Sequence, residues 1–333
     1  MFTKKRILKI PVTLLLILLV SQPVLSQSNI VDLGTLGGQH SNAYAINDSG
    51  LVVGWSYTAS GKMHAFLWAA KDGMRDLGTL GGADSVAKSV NNQGQVVGNS
   101  DTTSRVSHAF LWTAKDGMRD LGTLGGAYSA AYAINDQGQV VGYSYTASGE
   151  RHAFLWTAKD GMQDLDTLGS PESAAYAIND QGQVVGYRHT ASGEKHAFLW
   201  TAKDGMRDLG TLGGAVAYAL GINGFGQVVG WSYTSSNAPH AFLWTAKEGM
   251  RDLGTLGGTY STAYGVDDQG QVVGSSYSTV GNRYAFVWRA ATLMRALSTL
   301  GGTDSSASGI NARGQMVGYS YTGSGEIHAC MWP

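Results

Sequence analysis

Tryptophan occupies positions 68, 112, 156, 200, 244, 288 and 332, each 44 residues after the one before it. A fixed period of about 20–50 residues marks a repeat architecture, in which one supersecondary unit is copied and stacked. The period holds beyond tryptophan. Asp32-Leu33-Gly34-Thr35-Leu36-Gly37-Gly38 returns at Asp76, Asp120, Asp164, Asp208 and Asp252, and in altered form at Ala296. Gly50 and Gly54 recur as glycine in every copy, ending with Gly314 and Gly318. The chain is seven copies of one module.

The third copy shows what the module is. Ala131-Tyr132-Ala133-Ile134 reads as a short strand a, closed by Asn135-Asp136-Gln137-Gly138. Asn and Asp favour turns and Gly accepts positive φ, so that tetrad is hairpin chemistry. Gln139 to Tyr145 is strand b, rich in β-branched and aromatic residues. A loop from Thr146 to Arg151 leads to strand c, His152-Ala153-Phe154-Leu155-Trp156, and Lys159-Asp160-Gly161 turns into strand d, Met162 to Leu165. Four short antiparallel strands per repeat predict an all-β, seven-bladed β-propeller. No stretch carries sustained helical periodicity.

Residues 1–26 read as a secretory signal peptide, with Lys4, Lys5, Arg6 and Lys9 ahead of an apolar core from Ile10 to Val20. Residues 27–333 are then a single propeller domain of seven 44-residue repeats, placed in the periplasm or outside the cell, with no membrane insertion once the signal is removed. That domain opens on a d strand, Asn29 to Leu33, and closes on a c strand, His328 to Trp332. Pairing of the two would complete the last blade, close the ring and remove the open edges that template aggregation. Taking the signal's four basic residues from the 23 Lys+Arg leaves 19 against 24 Asp+Glu. That acidic balance argues against a nucleic-acid partner. Cys330 stands where other copies have Phe66, Phe110 or Phe154 and reads as a small core residue. A monomer is expected.

The blade text resembles the tryptophan-aspartate repeat in layout, with Thr113, Thr157 and Thr201 where the aspartate after tryptophan would stand. His-Ala-Phe at 64–66, 108–110, 152–154, 196–198 and 240–242, with Asn-Asp-x-Gly and Leu-Gly-Thr-Leu-Gly-Gly beside it, resembles the HAF family of extracellular repeat proteins. The resemblance spans the domain, with departures at Tyr284 and Cys330. It implies an exported, propeller-like protein and brings no biochemical activity.

The recurring histidines (His64, His108, His152, His196, His240, His328) invite a metal reading. Equivalent residues on adjacent sheets lie ~10 Å apart while a Zn–N bond is ~2 Å, so one ion cannot join two of them. A structural role is expected, with each His bonding loop backbone or the Ser at 41, 85, 129, 173, 261 or 305. The Asn-Asp-x-Gly turns offer at most one carboxylate each, too few for calcium, and the Gly-Gly pairs lack the strand-to-helix setting of a phosphate loop. No metal and no cofactor is expected. The tryptophans (Trp68, Trp112, Trp156, Trp200, Trp244, Trp288, Trp332) are read as packing between blades.

Catalysis needs residues that break the repeat. Lys88 replaces a Tyr44-type residue, Arg188-His189 replaces Ser-Tyr, and Asp166, Pro171 and Glu172 disturb the fourth d–a link. These look scattered, with no nucleophile–base–orienter set, so no enzyme is expected. Variation concentrates instead on one rim, formed by the d–a and b–c loops. One position there reads His40, Asp84, Tyr128, Glu172, Val216, Tyr260, Asp304 through the seven copies. Loops on a rigid scaffold commonly carry recognition, and His40, Asp84, Tyr128, Glu172, Tyr260 and Asp304 are the candidate ligand-binding residues. Strand-b aromatics (Trp55, Tyr143, Tyr187, Trp231, Tyr319) are candidates either for stacking on sugar faces or for packing between blades. The expected function is an exported binding or interaction scaffold whose partner is an unknown protein or a glycan. The alternative is an extracytoplasmic hydrolase or lyase with its site at the channel mouth.

Overall fold

The computed structural model describes residues 30–165 and 170–333. The proposed signal peptide and the irregular Asp166 lie outside those residues. The described chain is all β, in 28 strands that form five four-stranded antiparallel sheets and one eight-stranded sheet. The eight-stranded sheet is two antiparallel quartets joined at one parallel pair, Lys195 with Val216. Within a repeat the order is a-b-c-d. In the third, a is Gly125–Ile134, b Val140–Thr146, c Arg151–Thr157 and d Gly161–Asp164.

Strand a is longer than the sequence predicts, ten residues rather than four. The Gly-Gly pair explains the extension. Gly37 takes φ +96°, and a side chain at Gly38 would lie 2.5 Å from Tyr57 Cβ, so only glycine lets strand b run alongside. The same crowding fixes the glycine of strand b: a Cβ on Gly54 would sit 1.9 Å from Asn42 O.

The core lies between successive repeats. Val53 and Ala65 of one repeat meet Ala87, Val90, Val96, Phe110 and Trp112 of the next, with Leu77 of the linking d strand between them. Phe66, Phe110, Phe154, Phe198, Phe242 and Phe286 are fully buried at equivalent seams. Each contributes on the order of 1.5–3 kcal/mol by burial. Arginines of the d strands lie over the tryptophan of the next repeat, Arg75 over Trp112 at 5.3 Å and Arg251 over Trp288 at 5.4 Å. Trp200 follows Gln163 and Trp68 follows Val31 instead of an arginine, and both are only half-buried, while Trp112, Trp156, Trp244, Trp288 and Trp332 are buried.

The ends meet as the cut points of the sequence predict. Val31–Asp32 pairs antiparallel with the C-terminal strand, Val31 opposite Met331 and Asp32 opposite Cys330. Leu33 N donates to Ala329 O at 2.9 Å and Ala329 N to Ser41 Oγ at 2.8 Å. The seam between first and last repeats thus carries the bonds found at internal seams, such as Ala65 N to Ser85 Oγ at 2.8 Å.

Candidate functional site

The variable position expected on the rim lies inside strand a, because that strand already begins at the Gly-Gly pair. From there it reaches the start of strand c in the preceding repeat. Asp84 Oδ1 accepts from Met63 N at 2.9 Å, His40 Nδ1 from Ile327 N at 3.1 Å, and Asp304 Oδ1 from Arg283 Nε at 3.1 Å. Glu172 pairs with Arg151. These four candidates bond across the seam to the preceding repeat rather than standing on free loops, which corrects their expected placement. Tyr128 and Tyr260 differ: they are 47% and 50% exposed and stand edge-on to Tyr145 and Tyr277.

Two of the repeat-breaking residues of the fourth copy, Glu172 and His189, come together. Glu172 accepts the Tyr187 hydroxyl at 2.7 Å, and its other oxygen lies 2.9 Å from His189 Nε2 and 3.6 Å from Lys195 Nζ, with Arg151 on the first oxygen. Sequence distance hid this cluster, since Arg151 belongs to the repeat before. The same constellation returns three repeats on, where Asp304 Oδ1 accepts from the Tyr319 hydroxyl at 3.1 Å and from Arg283. One carboxylate held by several donors is a clamp, since its lone pairs are already taken.

Behind this rim, the a strands converge on a cavity of about 390 Å³. Tyr44, Lys88, Tyr132, Tyr176, Leu220, Tyr264 and Ser308, one from each repeat, line it, with Asn42, Arg283, Ser306 and Tyr319 toward the rim. The aromatic rings continue outward as an arc. Tyr132 lies 5.0 Å from Tyr176, Tyr176 6.0 Å from Tyr187, Tyr187 4.4 Å from Tyr218, and Tyr218 stacks on Trp231 at 4.8 Å. Of the strand-b aromatics, Tyr187 is buried in a seam and the others are half-buried. Burial pushes the Tyr176 hydroxyl up to about 12 against the lowering pull of Arg151, and raises Tyr132 and Tyr319 as well. At neutral pH these phenols are hydrogen-bond donors on apolar faces.

The histidines take a partner the sequence reading did not name. His64 Nδ1 lies 2.7 Å from Asp76 Oδ2, and His108, His152, His196, His240 and His328 meet Asp120, Asp164, Asp208, Asp252 and Asp32 in the same way. Ser85-type residues are bonded to backbone instead, Ser85 Oγ donating to Gly78 O at 2.6 Å. A signal for the true pairing stood in the sequence, because the sixth copy changes both positions together, to Tyr284 and Ala296. Among the described residues, no group of three or more His, Cys, Asp or Glu converges to hold a metal ion.

The opposite end is a depression of about 370 Å³ framed by the a–b turns. Asn47 Oδ1 caps its own turn through Leu51 N at 2.9 Å, and its Nδ2 donates to Asn91 O in the next repeat at 2.9 Å. The link repeats through Asn91, Asn135, Asn179 and Asn223 as far as Asp267, an acid with no amide to pass it on, and Asn311 donates to Asn47 O at 3.0 Å. These turns fasten repeats to one another, which turn chemistry alone does not require.

A family model described as "Protein of unknown function (DUF3466)" matches residues 26–124. No curated protein sequence matches the chain. Among solved structures, the β-propeller domain of the Trilobed protease from Pyrococcus furiosus superposes with a TM-score of 0.61 at 10% identity, over 88% of this chain and 95% of that one. That domain has an open velcro topology, whereas here the N-terminal strand pairs with the C-terminal one. The BP39L lectin from Burkholderia pseudomallei gives 0.55 at 10% identity, over 88% and 96%. Acylaminoacyl peptidase from Pyrococcus horikoshii gives 0.54 at 11%, over 88% and 51%. Identities this low speak for architecture only, and the architecture they share with this chain is the β-propeller.

Proposed function

We propose that this protein is an exported, seven-bladed β-propeller that binds carbohydrate at the rim end of its channel and does not turn it over. Seven blades follow if the eight-stranded sheet is taken as two quartets, and the hydrogen-bonded turns, which run from Asn311 through Asn47 to Asp267, are in keeping with that count. The observation that carries the binding reading is the cavity walled by Tyr44, Tyr132, Tyr176, Tyr264 and Tyr319, with amide and hydroxyl groups set between aromatic faces. Apolar walls with a few oriented polar groups are the composition of small-ligand sites, and a sugar offers C–H faces to the rings and hydroxyls to the polar groups. The lectin among the structural likenesses is in keeping with this use of the scaffold. Turnover is disfavoured because Glu172 already accepts hydrogen bonds from Arg151 and Tyr187, with His189 and Lys195 within ion-pair distance, and has no nucleophile to activate.

The test is a glycan array probed with the purified protein and with the double variants Tyr132→Ala/Tyr176→Ala and Tyr128→Ala/Tyr260→Ala. Signal lost in the first and kept in the second supports a channel site. Loss only in the second moves the site to the exposed rim tyrosines, and silence from the parent protein refutes the carbohydrate reading. Release of cleaved sugars would favour the hydrolase or lyase instead.

A further inference from the structure

The channel position occupied by Tyr44, Tyr132, Tyr176, Leu220, Tyr264 and Ser308 is interrupted once by a charge, Lys88. Its ammonium lies 3.8 Å from the centre of the Tyr44 ring. Among the described residues it makes no ion pair with any carboxylate, and no Asp or Glu is among the residues walling the cavity. Asp304, which meets two of the lining residues, is already held by them, Arg283 and Tyr319. A half-buried lysine stabilised only by a ring face keeps most of its demand for an anion. Ser306, Ser308 and Tyr319 line the same cavity and bring hydroxyl groups to the wall that a polar ligand would meet.

From this unpaired ammonium in a hydroxyl-lined cavity we infer that the channel cavity binds an acidic saccharide, its carboxylate on Lys88. The inference rests on the carbohydrate reading and narrows it to uronic-acid-bearing glycans. The sign of the charge is local: outside the proposed signal the chain is acidic, so general electrostatic attraction does not draw an anionic sugar to this end. Tyr132 and Tyr176 on the same wall are kept protonated by burial and therefore add donors rather than competing negative charge.

Calorimetric titration of the full chain with galacturonate, glucuronate and mannuronate trisaccharides, each beside its methyl ester, tests this directly. The ester keeps the sugar and removes the charge. The acids are expected to bind about tenfold tighter than their esters, a gap of the size one partly desolvated ion pair supplies. Raising NaCl from about 0.05 M to about 0.5 M should shrink the gap, since exposed charge interactions are screened. Lys88→Met, which keeps the aliphatic stem, should make acid and ester bind equally. Equal binding of acid and ester by the parent protein overturns the inference and leaves the carbohydrate reading standing. Silence with all six probes overturns the inference, and the glycan array then decides whether the carbohydrate reading falls with it. A salt-insensitive gap retained in Lys88→Met also overturns it.

Discussion

Leu33 and Leu77 are the same residue at the same repeat position, one at the seam between chain ends and one at an internal seam. Leu33 is 5% exposed, among Ala43, Ile46, Val52, Phe66, Val317 and Ala329. Leu77 is 7% exposed and has the equivalent surroundings around Phe110 and Trp112. Each donates its N–H to a strand-c alanine at 2.9 Å, Ala329 and Ala65 respectively. Truncating a buried leucine to alanine costs about 2–5 kcal/mol through lost transfer energy and the cavity left behind. These leucines follow outer edge strands, where neighbours partly close the gap, so about 3 kcal/mol is expected for each. Guanidinium unfolding followed by tryptophan fluorescence reads both as midpoint shifts at constant slope. Equal losses mean that the N-terminal strand is as firmly seated as an internal one, although a non-covalent pairing alone holds it. A loss under about 0.5 kcal/mol for Leu33→Ala, beside about 3 kcal/mol for Leu77→Ala, would refute the closed seam.

Three further outcomes are expected. Gly142→Ala places a Cβ 2.0 Å from Ala130 O, so it should cost about 3 kcal/mol by chemical denaturation; a neutral result would mean that strands a and b lie further apart. Tyr132, Tyr143, Tyr176 and Tyr319 all have raised hydroxyl pKa values, with burial the leading cause. The unfolded chain releases those protons near pH 10 and the folded chain does not, so their contribution to stability is intact below pH 10 and declines as pH rises toward 12. Titration of all 16 tyrosines near pH 10, with circular dichroism unchanged, would contradict this. Cys330 is fully buried and its thiol is pushed well up by burial, so a thiol reagent should label it only in denaturant; fast labelling of the native protein would place it elsewhere.

Much of the local structure was legible because strand and turn preferences act over a few residues and recur seven times. Asn135-Asp136-Gln137-Gly138 reads as a turn and is one, with Gly138 at φ +75°. The sequence makes strand a too short, because Gly-Gly looks like a break when its partner is unseen. It is instead the place where Tyr57-type residues crowd a neighbouring backbone. The histidine–aspartate pairs lie twelve residues apart along the chain, with the turn into strand d between them, except for the pair formed by His328 with Asp32. Only the joint change at Tyr284 and Ala296 betrayed them.

The period by itself determined the module, the number of copies, the strands within each and the complementary chain ends, since all of these follow from short-range patterning repeated without drift in register. The tertiary structure decided which residues of one copy meet which of the next. That depends on how far each sheet is rotated and shifted against its neighbour, a relation no segment of 44 residues encodes alone. It gathers Arg151, Glu172, His189 and Lys195 into one clamp, turns His40 and Asp304 from loop candidates into fasteners, and sets Lys88 over Tyr44 in a channel otherwise free of unpaired charge.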